Sequence, residues 1–528
     1  MSPSCSKPPF PWGMALGFTA LAAFLRFAAL GQEALFLDER LTIDTATIPA
    51  FSEFLRAFLH RDPHPPLYFL LMRWWIRLFG VGHIALRFPS ALFGALTVPV
   101  VMRALYESRC ATRLSLIAVG SLASVCPFHI YYSQEARPYA MQVLFFALNL
   151  LYAVRIWVDT RPLPRRSDLA ALLLTAALAI CTHYLSAFLL LLDFCMALLR
   201  QLSDQGRLFP LRFRAERFSP RIHVALAGLV LLALGAALAV LLSHAGRELT
   251  GWLPRWEFRF VFYQWRAIAE GPLTVVCPDW LLYLSAGAWL AALAAAGWPS
   301  ASSYGRPVAA LAGFAFFCTL VLPHLVSMFR PILFFGQRYT VIALPAFWLL
   351  TAAPLGWSRR PKIQAAFLLI FLAPAFIHLG SYYAFRQKRA WDTAAKLCIE
   401  RLEKGDTVWR LTTEAESPLL YYLEPQAGHK GIHVQLAADV SEFLPLPPAS
   451  RRLAVVSIQP ATLKMPAPPG FRLTARFALE THRADHEIYV LFFERAQADE
   501  APAADLDEGR GARGAQPQPK EFQNGAGD

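Results

Sequence analysis

An aspartate and a glutamate stand side by side in Leu37-Asp38-Glu39-Arg40. Adjacent carboxylates can divide acid–base work: one takes a proton from an acceptor hydroxyl or amine, and the other orients the acceptor or holds a metal. A solvated loop carrying two acids has the same spelling, and the pair alone does not separate the two readings. A second cluster is Asp62-Pro63-His64-Pro65-Pro66-Leu67-Tyr68. Proline is tolerated at the first helical position, so the paired prolines end one element and begin the next. That leaves His64 at a helix N-terminal edge, where backbone N–H groups favour an anion; an elbow with an incidental histidine is the alternative. A third cluster is Tyr131-Tyr132-Ser133-Gln134-Glu135-Ala136-Arg137-Pro138-Tyr139. It places an arginine among hydroxyl and amide groups, as a site for a phosphate and a sugar would need, while Glu135 and Arg137 also suit a structural pair. His183-Tyr184, Arg330 and Gln337-Arg338-Tyr339 complete the set.

The elements that must position these residues are greasy. Of 528 residues, 56% are hydrophobic and 16% charged, against about 45–50% and 25% in soluble domains. Apolar runs of about 17–22 residues are long enough to cross roughly 30 Å of hydrocarbon as helix. Eleven spans are predicted, near 12–31, 84–105, 114–130, 138–157, 168–182, 185–202, 222–243, 280–297, 308–327, 336–356 and 363–380. The first reads as a retained span, because only Lys7 is basic before it and no A-x-A site follows. Arginines crowd alternate loops, among them Arg109, Arg113, Arg165, Arg166, Arg214, Arg306 and Arg359, whereas the opposite short loops carry Arg137 and Arg330. This asymmetry puts the N-terminus in the cytoplasm and every chemistry-bearing cluster on the outer side.

Three regions then face outward. In the first outer loop, 32–83, the stretches 47–60 and 65–79 are amphipathic and suit helices lying along the interface. Trp74 and Trp75 are the expected anchors there, with Arg73 and Arg77 snorkelling to headgroups. The loop 244–279 is rich in Trp, Phe and Arg. From 381 a polar segment predicts a helix over Trp391–Leu402 and strands over Thr407–Leu411, Arg452–Ile458, Phe471–Leu479 and Glu487–Phe493, with turns at Gly405-Asp406 and 483–486. The expected organisation is a transmembrane module over 1–380, an extracytoplasmic α/β domain over 381–497, and a disordered tail over 498–528 that has nothing to bury.

The formal net charge of +13 lies largely in the short loops, which argues against a nucleic-acid partner. The eight cysteines show no CxxC or other metal-ligand spacing; Cys277 and Cys398 are the pair that could meet outside. Acids at mid-membrane depth, which an ion path needs, are few, Asp193 being the clearest, and no repeated halves are apparent. A transporter or flippase for a lipid-linked glycan intermediate, or a scaffold whose outer domain binds envelope partners, stand as the other readings.

The ordered set of motifs resembles the membrane glycosyltransferases of the GT-C fold, and within them the family 39 group that includes protein O-mannosyltransferases and aminoarabinose lipid A transferases. The residues carrying the resemblance are Asp38-Glu39, His64-Pro65-Pro66-Leu67-Tyr68, Leu86-Arg87-Phe88-Pro89-Ser90-Ala91-Leu92-Phe93-Gly94, Ser133 to Tyr139, Arg338-Tyr339, and Trp391–Leu402 with Gly405-Asp406 and Tyr421-Tyr422. The resemblance implies a polytopic α-helical fold and inverting transfer of a sugar from a polyprenyl-phosphate donor to an extracytoplasmic lipid, glycan or protein. It implies a bacterial inner membrane, no required cofactor, and a divalent metal as an option. Asp38 would be the general base with Glu39 beside it. His64, Arg137, Arg338, Tyr139 and Tyr339 would serve the donor phosphate, and Glu135, Tyr132 and His183 the acceptor or sugar. Where the lipid A branch often has lysine, this chain has His64, a cation only part of the time near neutral pH.

Overall fold

The computed structural model describes residues 8–61, 64–159, 165–187, 265–268, 278–296, 305–321, 338–352, 355, 361–385, 388–411, 418–436, 446–447, 450–479, 487–496 and 520–521. The predicted spans 185–202 (but for its first residues) and 222–243, most of the 244–279 loop, Asp62, Asp193, Cys277, Arg330, Gln337 and nearly all of the 498–528 tail lie outside the described residues.

Two compact units form: Met1–Leu30 with Thr45–Leu379, and Gly31–Asp44 with Gly380–Asp528. The sequence places 31–44 in the first outer loop of the membrane module, yet this stretch packs with the C-terminal unit. Ala34 is the reason in part, fully buried in that unit's hydrophobic core.

In the first unit the apolar runs become α1 Trp12–Phe27, α3 Phe51–Arg61, α4 Leu67–Phe79, α5 His83–Glu107, α6 Arg113–Val125, α7 Pro127–Ser133, α8 Tyr139–Val158, α9 Arg166–Ile180, α10 Asp279–Ala296, α11 Gly305–Phe316, α12 Leu344–Ala352 and most of α13 Pro361–Ala384, which ends in the second unit; α2, Leu37–Ala46, begins in the second unit. Among the described residues, three helices are long and apolar enough to cross a membrane: His83–Glu107, Tyr139–Val158 and Lys362–Ala384. The pair α6 and α7, bent by 48°, makes a fourth if it counts as one broken span.

Pro127 opens α7, and a proline cannot continue the ladder of the preceding helix. The carbonyls freed at this break are taken by a buried guanidinium: Arg26 donates to Ala123 O and Ser124 O, each at 3.1 Å. Close helix approach there demands glycine. A Cβ on Gly94 of α5 would lie 2.1 Å from Ser133 Oγ and 2.8 Å from Arg26 Nε. Elsewhere in the same motif, Arg87 donates to Leu30 O at 3.1 Å, so much of the Arg87–Gly94 motif is architecture.

α4 is amphipathic, with Trp74, Leu78 and Phe79 exposed and Tyr68, Phe69 and Met72 buried. Two expectations for it are corrected. Arg73 does not snorkel: it is buried and donates to Ala46 O, Ile48 O and Pro49 O, tying α4 to the α2–α3 turn. Trp75 turns inward, its ring stacked 5.5 Å from Phe88 and its N–H donating to Ala85 O.

The second unit is a mixed sheet with two helices, α14 Trp391–Arg401 and α15 Pro418–Lys430. Its strands are β1 Thr407–Leu411, β2 His433–Leu436, β3 Arg452–Ser457, β4 Phe471–Leu479, β5 Ile488–Arg495 and the two-residue β6 Lys520–Glu521, in the order β2-β1-β3-β5-β4-β6. β1 runs parallel to β2 and β3, and β5 antiparallel to β3 and β4. Both faces of the centre are covered. Val408, Ala454 and Val456 pack with the helices on one side, and Trp409, Leu453 and Val455 form a second cluster. Asp406 sets the sheet's corner, its carboxylate accepting from the amides of Glu403, Arg451 and Arg452, while Gly405 supplies the positive φ of the turn (90°). Cys398 is a free thiol buried in this core, and burial pushes it up to about 12.

Candidate functional site

Three local devices gather the predicted residues of the first unit. The prolines Pro65 and Pro66 interrupt the chain, and the first amide of α4, Leu67 N–H, donates to Cys181 O just past α9 (3.0 Å). This brings His64 against His183, ring centroids 4.7 Å apart and nearly perpendicular. Tyr68 donates to Ser90 Oγ (2.9 Å), which in turn donates to Arg137 O (3.3 Å), so the α7–α8 loop is fixed to α4 and α5. A 3-10 turn over Arg338–Ala343 sets the Tyr339 ring 5.2 Å from His183 and 6.5 Å from His64. Tyr139, opening α8, lies 5.9 Å from His64 and 5.0 Å from Tyr132.

Hydrogen bonds orient the imidazoles of this cluster. Arg137 Nη2 lies 3.2 Å from His64 Nδ1. A guanidinium can only donate, so Nδ1 accepts and the imidazole is neutral, its proton on Nε2. His183 Nδ1 accepts from Leu185 N–H (3.2 Å), which makes the neutral His183 an Nε2–H donor as well. The Arg137 guanidinium also lies over the Phe69 ring at 5.8 Å. A buried guanidinium among imidazole N–H and phenol groups can grip an anion strongly, because few water molecules compete there.

The other predicted residues divide. Glu135 is buried in the α7–α8 loop, and Arg338 is half-buried beside Tyr339. Ser133 and Gln134, expected to serve a ligand, serve the scaffold. Ser133 donates to His129 O, and the Gln134 amide donates to Arg26 O and Ala28 O at the end of α1.

Asp38 and Glu39 belong to the second unit, in the first turn of α2, where the dipole favours acids. The structure separates the pair. Asp38 is half-buried, whereas Glu39 is fully buried. Glu39 Oε2 accepts from Phe36 N–H (2.9 Å) at the helix start and from Lys388 Nζ (3.0 Å). Sequence reasoning missed Lys388: it is 349 residues away and no local signal marks it. The Tyr421-Tyr422 pair holds the same segment: the Tyr422 hydroxyl accepts from Leu35 N–H at 2.7 Å, and Arg40 lies over Tyr421 at 5.7 Å. Among the described residues, no group of three or more His, Cys, Asp or Glu is placed to hold a metal.

Helices in this order, with a polar unit built on the chain's C-terminal part, give the GT-C fold of membrane glycosyltransferases, a multi-pass membrane architecture. Specifically, the chain is similar to ArnT from Cupriavidus metallidurans. Two crystal structures of that protein, one bound to undecaprenyl phosphate and one apo, each align over 91% of this chain and 98% of that chain at 15% identity, with TM-scores of 0.51 and 0.53. Residues 63–206 match the family described as dolichyl-phosphate-mannose-protein mannosyltransferase. No curated protein sequence matches the chain.

Proposed function

We propose that the protein is a glycosyltransferase that moves a sugar from a polyprenyl-phosphate donor to an extracytoplasmic acceptor, with inversion at the transferred carbon. The reading includes eleven membrane spans, a bacterial inner membrane, and the polar C-terminal unit on the outer side, oriented by the arginines of alternate loops. The observation that carries it is the Arg137–His64 contact inside a buried group of donors. A guanidinium is a permanent cation whose fork of donors matches a phosphate.

In the reaction, Asp38 takes the proton of the acceptor hydroxyl or amine as that atom attacks the anomeric carbon. The bond from that carbon to the phosphate oxygen breaks, and its electron pair leaves with the polyprenyl phosphate. Arg137 and Arg338, with Tyr139 and Tyr339, stabilise the charge that grows on this oxygen. His64 holds Arg137. Glu135, Tyr132 and His183 face the sugar or acceptor. The leaving phosphate is already a good one, so the step needs no nucleotide and no obligatory metal.

The test is incubation of the purified protein with a panel of polyprenyl-phosphate hexoses and pentoses, following release of free polyprenyl phosphate. One donor should be consumed, and Asp38→Asn should abolish consumption in a protein that still folds. A panel left intact by wild-type protein supplied with envelope lipid, glycan and protein acceptors would sink the proposal.

A further inference from the structure

The second unit does more than carry Asp38 on a helix, because a residue far along the chain grips that helix from the side. Lys388 and Glu39 form an ion pair at 3.0 Å, with side chains 3% and 0% exposed. Surface ion pairs contribute little. A pair this deeply buried is different, since losing one partner strands the other's charge away from water. Glu39 Oε2 is also the acceptor for Phe36 N–H, the group preceding the first turn of α2. One oxygen thus joins Lys388 to the start of the helix whose second residue is Asp38.

The grip is continuous along the segment. The backbone amide of Lys388 donates to Glu33 Oε2 at 3.0 Å, Leu35 N–H donates to the Tyr422 hydroxyl, and Ala34 is buried in one core with Trp391, Ala394 and Ala395. Lys388 itself stands three residues before Trp391, the wholly buried first residue of α14, so its own backbone is anchored in the packed core. By contrast, Asp38 is half-buried and its main-chain carbonyl accepts from Thr42 Oγ1 within the helix.

We infer that Lys388 is a positioning residue for the transfer reaction: through Glu39 it fixes the helix start that presents Asp38, so the C-terminal unit sets the aim of the base. Glu39 is then a positioning residue too, and not a second catalytic carboxylate. This rests on Asp38 being the base. A base misplaced by about 1 Å can lose roughly 10²-fold in rate without any change in how the donor binds.

The experiment compares Lys388→Met, Lys388→Arg and Asp38→Asn in the full-length protein, measuring kcat, the donor KM and the thermal midpoint. Lys388→Met should lower kcat by about 10- to 100-fold with donor KM within about threefold. Lys388→Arg, which keeps the charge and a donor, should recover most of that turnover; a residue that merely filled space would not distinguish arginine from methionine in this way. If Lys388→Met fails to accumulate, the doubly neutral Glu39→Gln/Lys388→Gln protein takes its place, with the same expected fall in kcat at unchanged donor KM. Wild-type kcat in Lys388→Met or in the neutral pair, alongside an inactive Asp38→Asn, overturns this inference and leaves the base standing. Turnover that survives in Asp38→Asn overturns both.

Discussion

Two arginine–histidine pairs lie buried in the helical unit and share one contact. Arg26 Nη2 is 2.8 Å from His129 Nδ1, and Arg137 Nη2 is 3.2 Å from His64 Nδ1. In both, the histidine accepts and is neutral, with its proton on Nε2. Their surroundings differ. Arg26 donates to the carbonyls of Ala22, Ala123 and Ser124, so its guanidinium closes backbone groups at the α6–α7 break. Arg137 is set among side chains: the His64 imidazole, the Phe69 face and, around that imidazole, His183, Tyr139 and Tyr339. Backbone carbonyls at a helix break are fixed acceptors that consume a cation, whereas side-chain donors add to it. One pair is a staple and the other a candidate grip for phosphate, and the pairing itself does not tell which.

Substitution can break this contrast. Arg137→Met should give the largest effect, a fall in kcat of about 10²–10³-fold, with the thermal midpoint of the detergent-purified protein little changed. Arg26→Met should do the reverse: stability falls by about 3 kcal/mol as buried acceptors lose their donor, seen as a lower midpoint, while the molecules that stay folded turn over normally. If Arg26→Met behaved as a pure turnover variant, the distinction between the two pairs would be lost.

Gly94→Ala probes the staple from the other side. Its Cβ would meet Ser133 and Arg26, and overpacking of this kind costs about 1–3 kcal/mol, so the midpoint should drop with kcat intact. The smallest effect sharpens the grip. His64→Asn keeps an acceptor for Arg137 and should lose only about threefold in kcat, where His64→Ala, which leaves the guanidinium unaimed, loses about 30-fold.

Much of the scaffold was legible. The run predicted at 138–157 is the helix Tyr139–Val158, and the strands Thr407–Leu411 and Phe471–Leu479 end where their apolar and β-branched residues do. Those features are local, and periodicity reports them. β2 escaped notice because His433–Leu436 is a four-residue edge strand, exposed or half-buried throughout, with no apolar face to announce it. α2 escaped because it is short and polar, its first-turn acids its chief helical signal. The candidate site was half legible. His64, Arg137, Tyr139, His183 and Tyr339 stood out as polar or aromatic groups at the ends of greasy runs, but Ser133 and Gln134 stood out for the same reason and are scaffold.

The sequence by itself determined that this is a multi-pass chain with a polar C-terminal unit, and which residue types could grip a phosphate or move a proton, since hydropathy and side-chain chemistry belong to the residues. The tertiary structure alone decided which of two adjacent carboxylates is buried in an ion pair, which arginine closes a broken helix, and that residues 31–44 join a unit built from residues hundreds of positions later. Such outcomes depend on burial and on partners remote in the chain. Neighbours in sequence such as Asp38 and Glu39 have no means of expressing them.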